Sequence, residues 1–108
     1  MTDFTQKHCE PCRGGIPPLT NEEIKERMAH LEDWEIKDDH HLIRSFDFPN
    51  FKLALDFINK VGQLAEQENH HPEFCFTWGK VTISIWTHKI DGLHDNDFIL
   101  AAKINRII

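Results

Sequence analysis

Between Phe51 and Ala65 the apolar side chains fall at spacings of three and four: Phe51, Ala54, Leu55, Ile58, Val61 and Ala65, with Phe57 and Leu64 widening the stripe. A helix with one buried face satisfies that period. Asn50 is a suitable N-cap for it, and Pro72 bounds it, because the residue before a proline avoids helical backbone. On both sides the period changes to two. A long amphipathic helix set between paired strands must bury its stripe against a sheet, which points to an α+β architecture.

The strands group as two hairpins. Trp34-Glu35-Ile36 and Leu42 to Phe48 are joined through the turn signal Asp38-Asp39. Leu42, Phe46 and Phe48 share a side, although Arg44 has the same parity. Phe74 to Trp78 and Val81 to Thr87 flank Gly79-Lys80, which reads as a two-residue type II′ turn with Gly first. That register puts Phe74, Phe76, Trp78, Val81, Ile83 and Ile85 on one face and position 71 opposite position 88. Thr20-Asn21-Glu22-Glu23 is a capping box opening a helix to about His30, with Ile24, Met28 and Leu31 inward. A last helix, about Asp95 to Arg106, buries Phe98, Ile99, Ala102 and Ile104. The expected order is helix-strand-strand-helix-strand-strand-helix: a four-stranded antiparallel sheet with helices packed on one face. The other face is left to solvent or assembly, and edge strands left open invite pairing between copies.

With 108 residues the chain holds one domain. Residues 20–108 form it. Residues 1–19, with Cys9-Glu10-Pro11-Cys12, Gly14-Gly15 and Pro17-Pro18, read as a flexible leader without a regular element. Net charge is −6 and no Lys/Arg cluster occurs, which argues against nucleic acid as the partner. No stretch reaches the roughly 18 apolar residues of a membrane span. No apolar run in the first 30 residues marks a signal peptide, so the cytoplasm is the expected compartment. Three cysteines without such a signal do not suggest a disulfide framework, and Cys75 reads as a small sheet residue. His8, Cys9 and Cys12 offer three zinc-type ligands but lack a fourth, so no metal is expected.

The unusual residue is histidine, present eight times. His70 and His71 stand at the C-terminal end of the long helix, where unpaired carbonyls favour a cation by roughly 0.3–1 kcal/mol. Imidazole titrates near neutrality and serves as a proton donor or acceptor there. Glu66 lies one helical turn before His70 and is placed to orient it. Pro72 forces His71 into extended backbone, so the two rings diverge. His88 follows Thr87 at the far end of the second hairpin, and the ladder brings it back toward His71. A His-His pair at a helix end is by itself more often a solvated cap, as His40-His41 in the first hairpin is expected to be. Glu66, Pro72 and His88 set the second pair apart.

Glu66-x-x-x-His70-His71-Pro72, followed by Val81, Thr87-His88, Gly92-Leu93 and Asp97, resembles the signature of the pterin-4a-carbinolamine dehydratase family, and the likeness extends from about Thr20 to the end and takes in Trp34. The resemblance implies a hydro-lyase of α+β fold, assembled as dimers or tetramers. It would remove water from 4a-hydroxytetrahydropterin to give quinonoid dihydropterin. No cofactor is implied, since the pterin is the substrate, and a functional link to an aromatic amino acid hydroxylase follows. Carried over on the matching positions, His70 and His88 are general acids, His71 binds and orients the ring with a share in proton transfer, and Glu66 orients a histidine. Trp34, Pro72, Thr87 and Asp97 match positions around the site. On their own terms Trp34 is equally a core residue, and Asp97 favours a helix N-terminus. His94 stands where the family usually has a Ser or Thr cap, so a weaker cap is expected. The alternative of another class is a non-catalytic protein-binding or dimerisation partner with the same fold.

Overall fold

The computed structural model describes residues 4–7 and 15–108. Helix α1 spans Asn21–Met28, α2 Phe51–Glu68 and α3 Asp95–Asn105; strands are β1 Glu35–Lys37, β2 His41–Asp47, β3 Glu73–Thr77 and β4 Lys80–Ile85. The strands form one antiparallel sheet in the order β1-β2-β4-β3, so each hairpin stays together and β2 meets β4 across the middle. The helices pack on one face, as the alternating pattern requires.

Local signals account for the helix boundaries. Thr20 Oγ1 accepts from Glu23 N–H while the Glu23 carboxylate accepts from Thr20 N–H, closing the capping box. These bonds hold the Glu23 carboxyl below its usual range, the Thr20 backbone N–H first among the causes. Asn50 caps α2 through Leu53 N–H. That helix stops at Asn69, whose φ of 52° is left-handed. The amides of Asn69 and His70 turn back onto the carbonyls of Glu66 and Ala65, a bonding pattern in which the αL residue satisfies the last turn.

Leu42, Phe46, Val81, Ile83 and Ile85 point from the sheet into the core, with the Phe46 and Phe57 rings 4.7 Å apart. Arg44 shares that face at the rim. Its guanidinium lies over Phe46 and bonds the Asn105 side chain, so an inward cation is satisfied without entering the core. Helix α3 is more enclosed than a single stripe predicts. Every residue from Asn96 to Ala102 is buried. One cause lies in the leader, where Phe4–Gln6 form a short 3-10 helix and Phe4 is buried against Phe98. Cys9, Cys12 and His8 lie outside the described residues.

The second hairpin departs from the expected turn. Thr77 pairs with Lys80, so Trp78-Gly79 form the turn and neither is left-handed. Position 71 therefore extends to face Trp86 instead of His88. The reason is tertiary: Phe48 N–H donates to Gly79 O at 2.7 Å, and a Cβ on Gly79 would sit 2.7 Å from Phe48 O. Only glycine lets that backbone so close. A slip of two residues preserves the faces but moves the partners, so Phe74 and Phe76 stand opposite Ile83 and Val81 where the expected turn would set them opposite Ile85 and Ile83. Trp78 alone leaves the core face and is 64% exposed.

Candidate active site

His70, Thr87 and the His94 backbone meet at one carboxylate where α2 ends, β4 ends and α3 begins. The centre is Asp97, fully buried in the first turn of α3. Its Oδ1 accepts from His70 Nε2 at 2.6 Å, and its Oδ2 accepts from Thr87 Oγ1 at 2.9 Å and from the His94 backbone N–H at 2.8 Å. One carboxylate thus joins the chain two residues beyond α2 to the chain two residues beyond β4. The helix N-terminus favours the negative charge, and three donors offset its desolvation.

This geometry selects the tautomer of His70. A carboxylate only accepts, so Nε2 carries the proton and Nδ1 is left for chemistry: a base when the ring is neutral, an acid when it is charged. The His70 side chain is 11% exposed, so one edge alone is open. Glu66 pairs with His71 Nε2, not with His70 as the helical spacing predicts. The left-handed turn at Asn69 reverses the chain within one residue, carrying His70 toward α3 and leaving His71 beside Glu66. Both members of the Glu66–His71 pair are solvent-exposed, so the contact orients more than it stabilises. Pro72 is half-buried behind them. Glu66 also lines an open groove between α2 and β3 with Ile58, Gly62 and Phe74, which none of the described histidines lines.

Thr87 and Gly92 bond each other's backbone and close a short loop holding a 3-10 turn, His88–Ile90. A Cβ on Gly92 would lie 2.6 Å from Pro18 Cβ, so the end of the leader braces this loop from behind. His88 is exposed and stacks on Trp86, ring centroids 4.4 Å apart. Thr87 buries its hydroxyl on Asp97 while its neighbour projects outward.

Trp34 lies elsewhere. It is buried, and its Nε1–H donates to Asn105 Oδ1 at 2.7 Å, eight residues from Asp97 along α3, or about 12 Å. It fastens the C-terminal end of that helix and belongs to the core. His94 caps α3 with a ring nitrogen, Nδ1 accepting from Asn96 N–H at 3.3 Å. His40 and His41, expected to be a solvated pair, instead pack against Trp86, with centroids 5.4 and 5.7 Å away. Their link to His88 depends on β2 lying beside β4, a pairing between non-consecutive strands that local patterns do not reveal. Extending that ladder one step past Leu42–Ile85 sets His41 opposite Trp86 on the helix-free face.

The family described as Pterin 4 alpha carbinolamine dehydratase matches residues 17–107. A relative from Rubrobacter xylanophilus bearing that name is 53% identical over 107 residues, covering 99% of this chain and 100% of its own length. A relative from Chlorobaculum tepidum with the same name is 47% identical over 111 residues and covers 100% of both chains. Among solved structures, a transcriptional coactivator/pterin dehydratase from Brucella melitensis superposes with a TM-score of 0.77 at 31% identity, over 83% of this chain and 97% of that one.

Proposed function

We propose, starting from the fact that this chain belongs to the pterin-4a-carbinolamine dehydratase family and is a hydro-lyase of that kind, that His70 and His88 carry the proton transfers of the dehydration. The observation that supports this reading most is the Asp97 carboxylate, which holds His70 by Nε2 and Thr87, the residue before His88, by its hydroxyl.

Hydroxide is a poor leaving group. An imidazolium N–H protonates the oxygen on C4a, the C–O bond breaks, and water departs. The proton on N5 passes to a neutral imidazole as the C4a=N5 double bond forms, giving quinonoid dihydropterin. Each positioned acid or base is worth about 10²–10⁴ in rate. His70, presenting Nδ1 from a nearly closed position, and His88, exposed on its loop, act from opposite sides of the flat ring. His71, with Nε2 on Glu66, binds and orients the pterin. The product is returned to use by a reduction, which ties this activity to aromatic amino acid hydroxylation. Assembly as a homodimer or homotetramer is part of the same proposal. Among the described residues no helix is long and apolar enough to cross a membrane.

A spectroscopic assay of 4a-carbinolamine decay tests this. The double variant His70→Ala/His88→Ala is expected to lose the catalysed rate while circular dichroism still reports the native fold. The wild-type rate should decline as imidazolium donors are lost at high pH; a rate that stays flat from about pH 6 to about pH 9 rules out imidazole as the proton source. The name of the Brucella protein joins a transcriptional coactivator to a pterin dehydratase. A purely partner role here would leave the double variant functional in its host.

A further inference from the structure

The aromatic cluster beneath His88 is not used by the mechanism above. His88 stacks on Trp86 with planes 27° apart. Trp86 is also met by His40 and His41 from the β1–β2 turn and the start of β2. The two imidazoles share a hydrogen bond between their Nδ1 atoms, 3.1 Å apart. His40 Nε2 donates to Asp91 Oδ1 at 2.8 Å. Asp91 is left-handed, with φ 48°, in the same short loop that carries His88, and its N–H donates to His88 O. The loop is therefore gripped twice by one turn: at its tip through Asp91, and at His88 through the indole.

Nothing else in the described contacts fixes the His88 ring. Its neighbour Thr87 is buried and tied to Asp97, but that anchors the backbone, not the imidazole. An exposed histidine on a loop samples several rotamers, and a proton donor misplaced by about 1 Å can lose up to about 100-fold in rate. A flat ring against a flat ring removes most of that freedom.

From this we infer that Trp86 is a positioning residue for His88, held in place by His40 and His41, and that the His40–Asp91 bond makes the β1–β2 turn a clasp on the catalytic loop. The inference rests on the catalytic reading of His88 and adds a specific dependence: orientation of that ring is set from the first hairpin, far away in sequence.

The test combines proton NMR of the histidine rings with steady-state kinetics on the carbinolamine. In the native protein the ring protons of His88, assigned through His88→Gln, should be displaced upfield by the indole ring current. Trp86→Ala should abolish the displacement and lower kcat by about 10- to 100-fold, with KM little changed. Trp86→Phe should recover most of the rate, because a flat ring remains. His40→Ala should reduce both effects part-way, by releasing the clasp. Native-like His88 shifts and kcat in Trp86→Ala overturn the proposal. So does a change confined to KM, which would make Trp86 a binding surface. If Trp86→Ala does not fold, His40→Ala decides by the same two readouts, and no change in either overturns the clasp. If His88→Gln leaves the rate intact while the ring-current shift is present, the catalytic reading of His88 has failed and the positioning has not.

Discussion

Replacing Asp97 by Asn changes one oxygen to an NH₂ group at the point where the site is assembled. The carboxylate accepts three bonds, from His70 Nε2, Thr87 Oγ1 and the His94 N–H. An amide keeps one oxygen, which still faces Thr87 and the His94 amide. Its NH₂ then faces His70. Two donors cannot face each other, so the neutral His70 ring must place its lone pair on Nε2 and its proton on Nδ1. The nitrogen left for chemistry then has no lone pair to accept a proton. The two surviving bonds pass from charge-assisted to neutral, losing about 1 kcal/mol each, and the His70 contact weakens similarly, about 2–3 kcal/mol together. For a domain of this size that lowers Tm by roughly 10–20 °C. The kinetic loss should be larger, about 10²–10⁴ in kcat, if His70 is the general acid–base group proposed above, because that group is then disabled while the fold remains. The assay is carbinolamine decay below the variant's melting range, beside ¹⁵N chemical shifts that report the His70 tautomer. A variant with native kcat whose His70 still carries its proton on Nε2 would refute the assignment of Asp97.

Three other outcomes follow. Asn69→Ala should cost about 1–2 kcal/mol in chemical denaturation, because φ there is 52°, whereas Asn69→Gly should be near neutral and keep the rate. Gly79→Ala should cost about 1–3 kcal/mol, since its Cβ would stand 2.7 Å from a backbone oxygen that cannot move aside. His41 titrates below its ordinary 6.5 because burial disfavours its charge and His40 and Lys37 add repulsion. The unfolded chain therefore binds that proton first. The cost is absent above about pH 6.5, grows as pH falls through that value, and levels off below the folded pKa. Denaturation midpoints in this window should fall less steeply for His41→Gln than for the native chain; parallel curves would contradict this origin.

Where a residue's fate depended on near neighbours, it was legible in the chain. The stripe from Phe51 to Ala65 dictates α2, although its buried face runs through Ala54, Phe57, Val61 and Ala65 while Phe51 and Leu55 stand exposed; Thr20 and Glu23 dictate the start of α1, and alternation in Phe74–Ile85 dictates the core face. Histidines 70, 71 and 88 stand out by type and spacing. Face survives even the two-residue error in the hairpin, because a strand repeats every two residues. The shift arises because Gly79-Lys80 by itself favours a turn one residue later than the one that forms. The actual turn is chosen by Phe48, which follows the end of β2 and needs a bare backbone to touch.

The partners of the histidines belong to the same class of question. Spacing along a helix assigns Glu66 to His70, yet one left-handed residue sends His70 to Asp97 and leaves Glu66 with His71. Trp34 shares the motif but is claimed by Asn105 at the far end of α3. His40 and His41 look idle until β2 is laid beside β4. Sequence by itself determined which elements form and which faces of the sheet are apolar, because these rest on backbone preference and period. Only the tertiary structure decided who holds whom, because a hydrogen bond between residues 70 and 97, or a ring stacked across two hairpins, depends on where elements land after the core has closed.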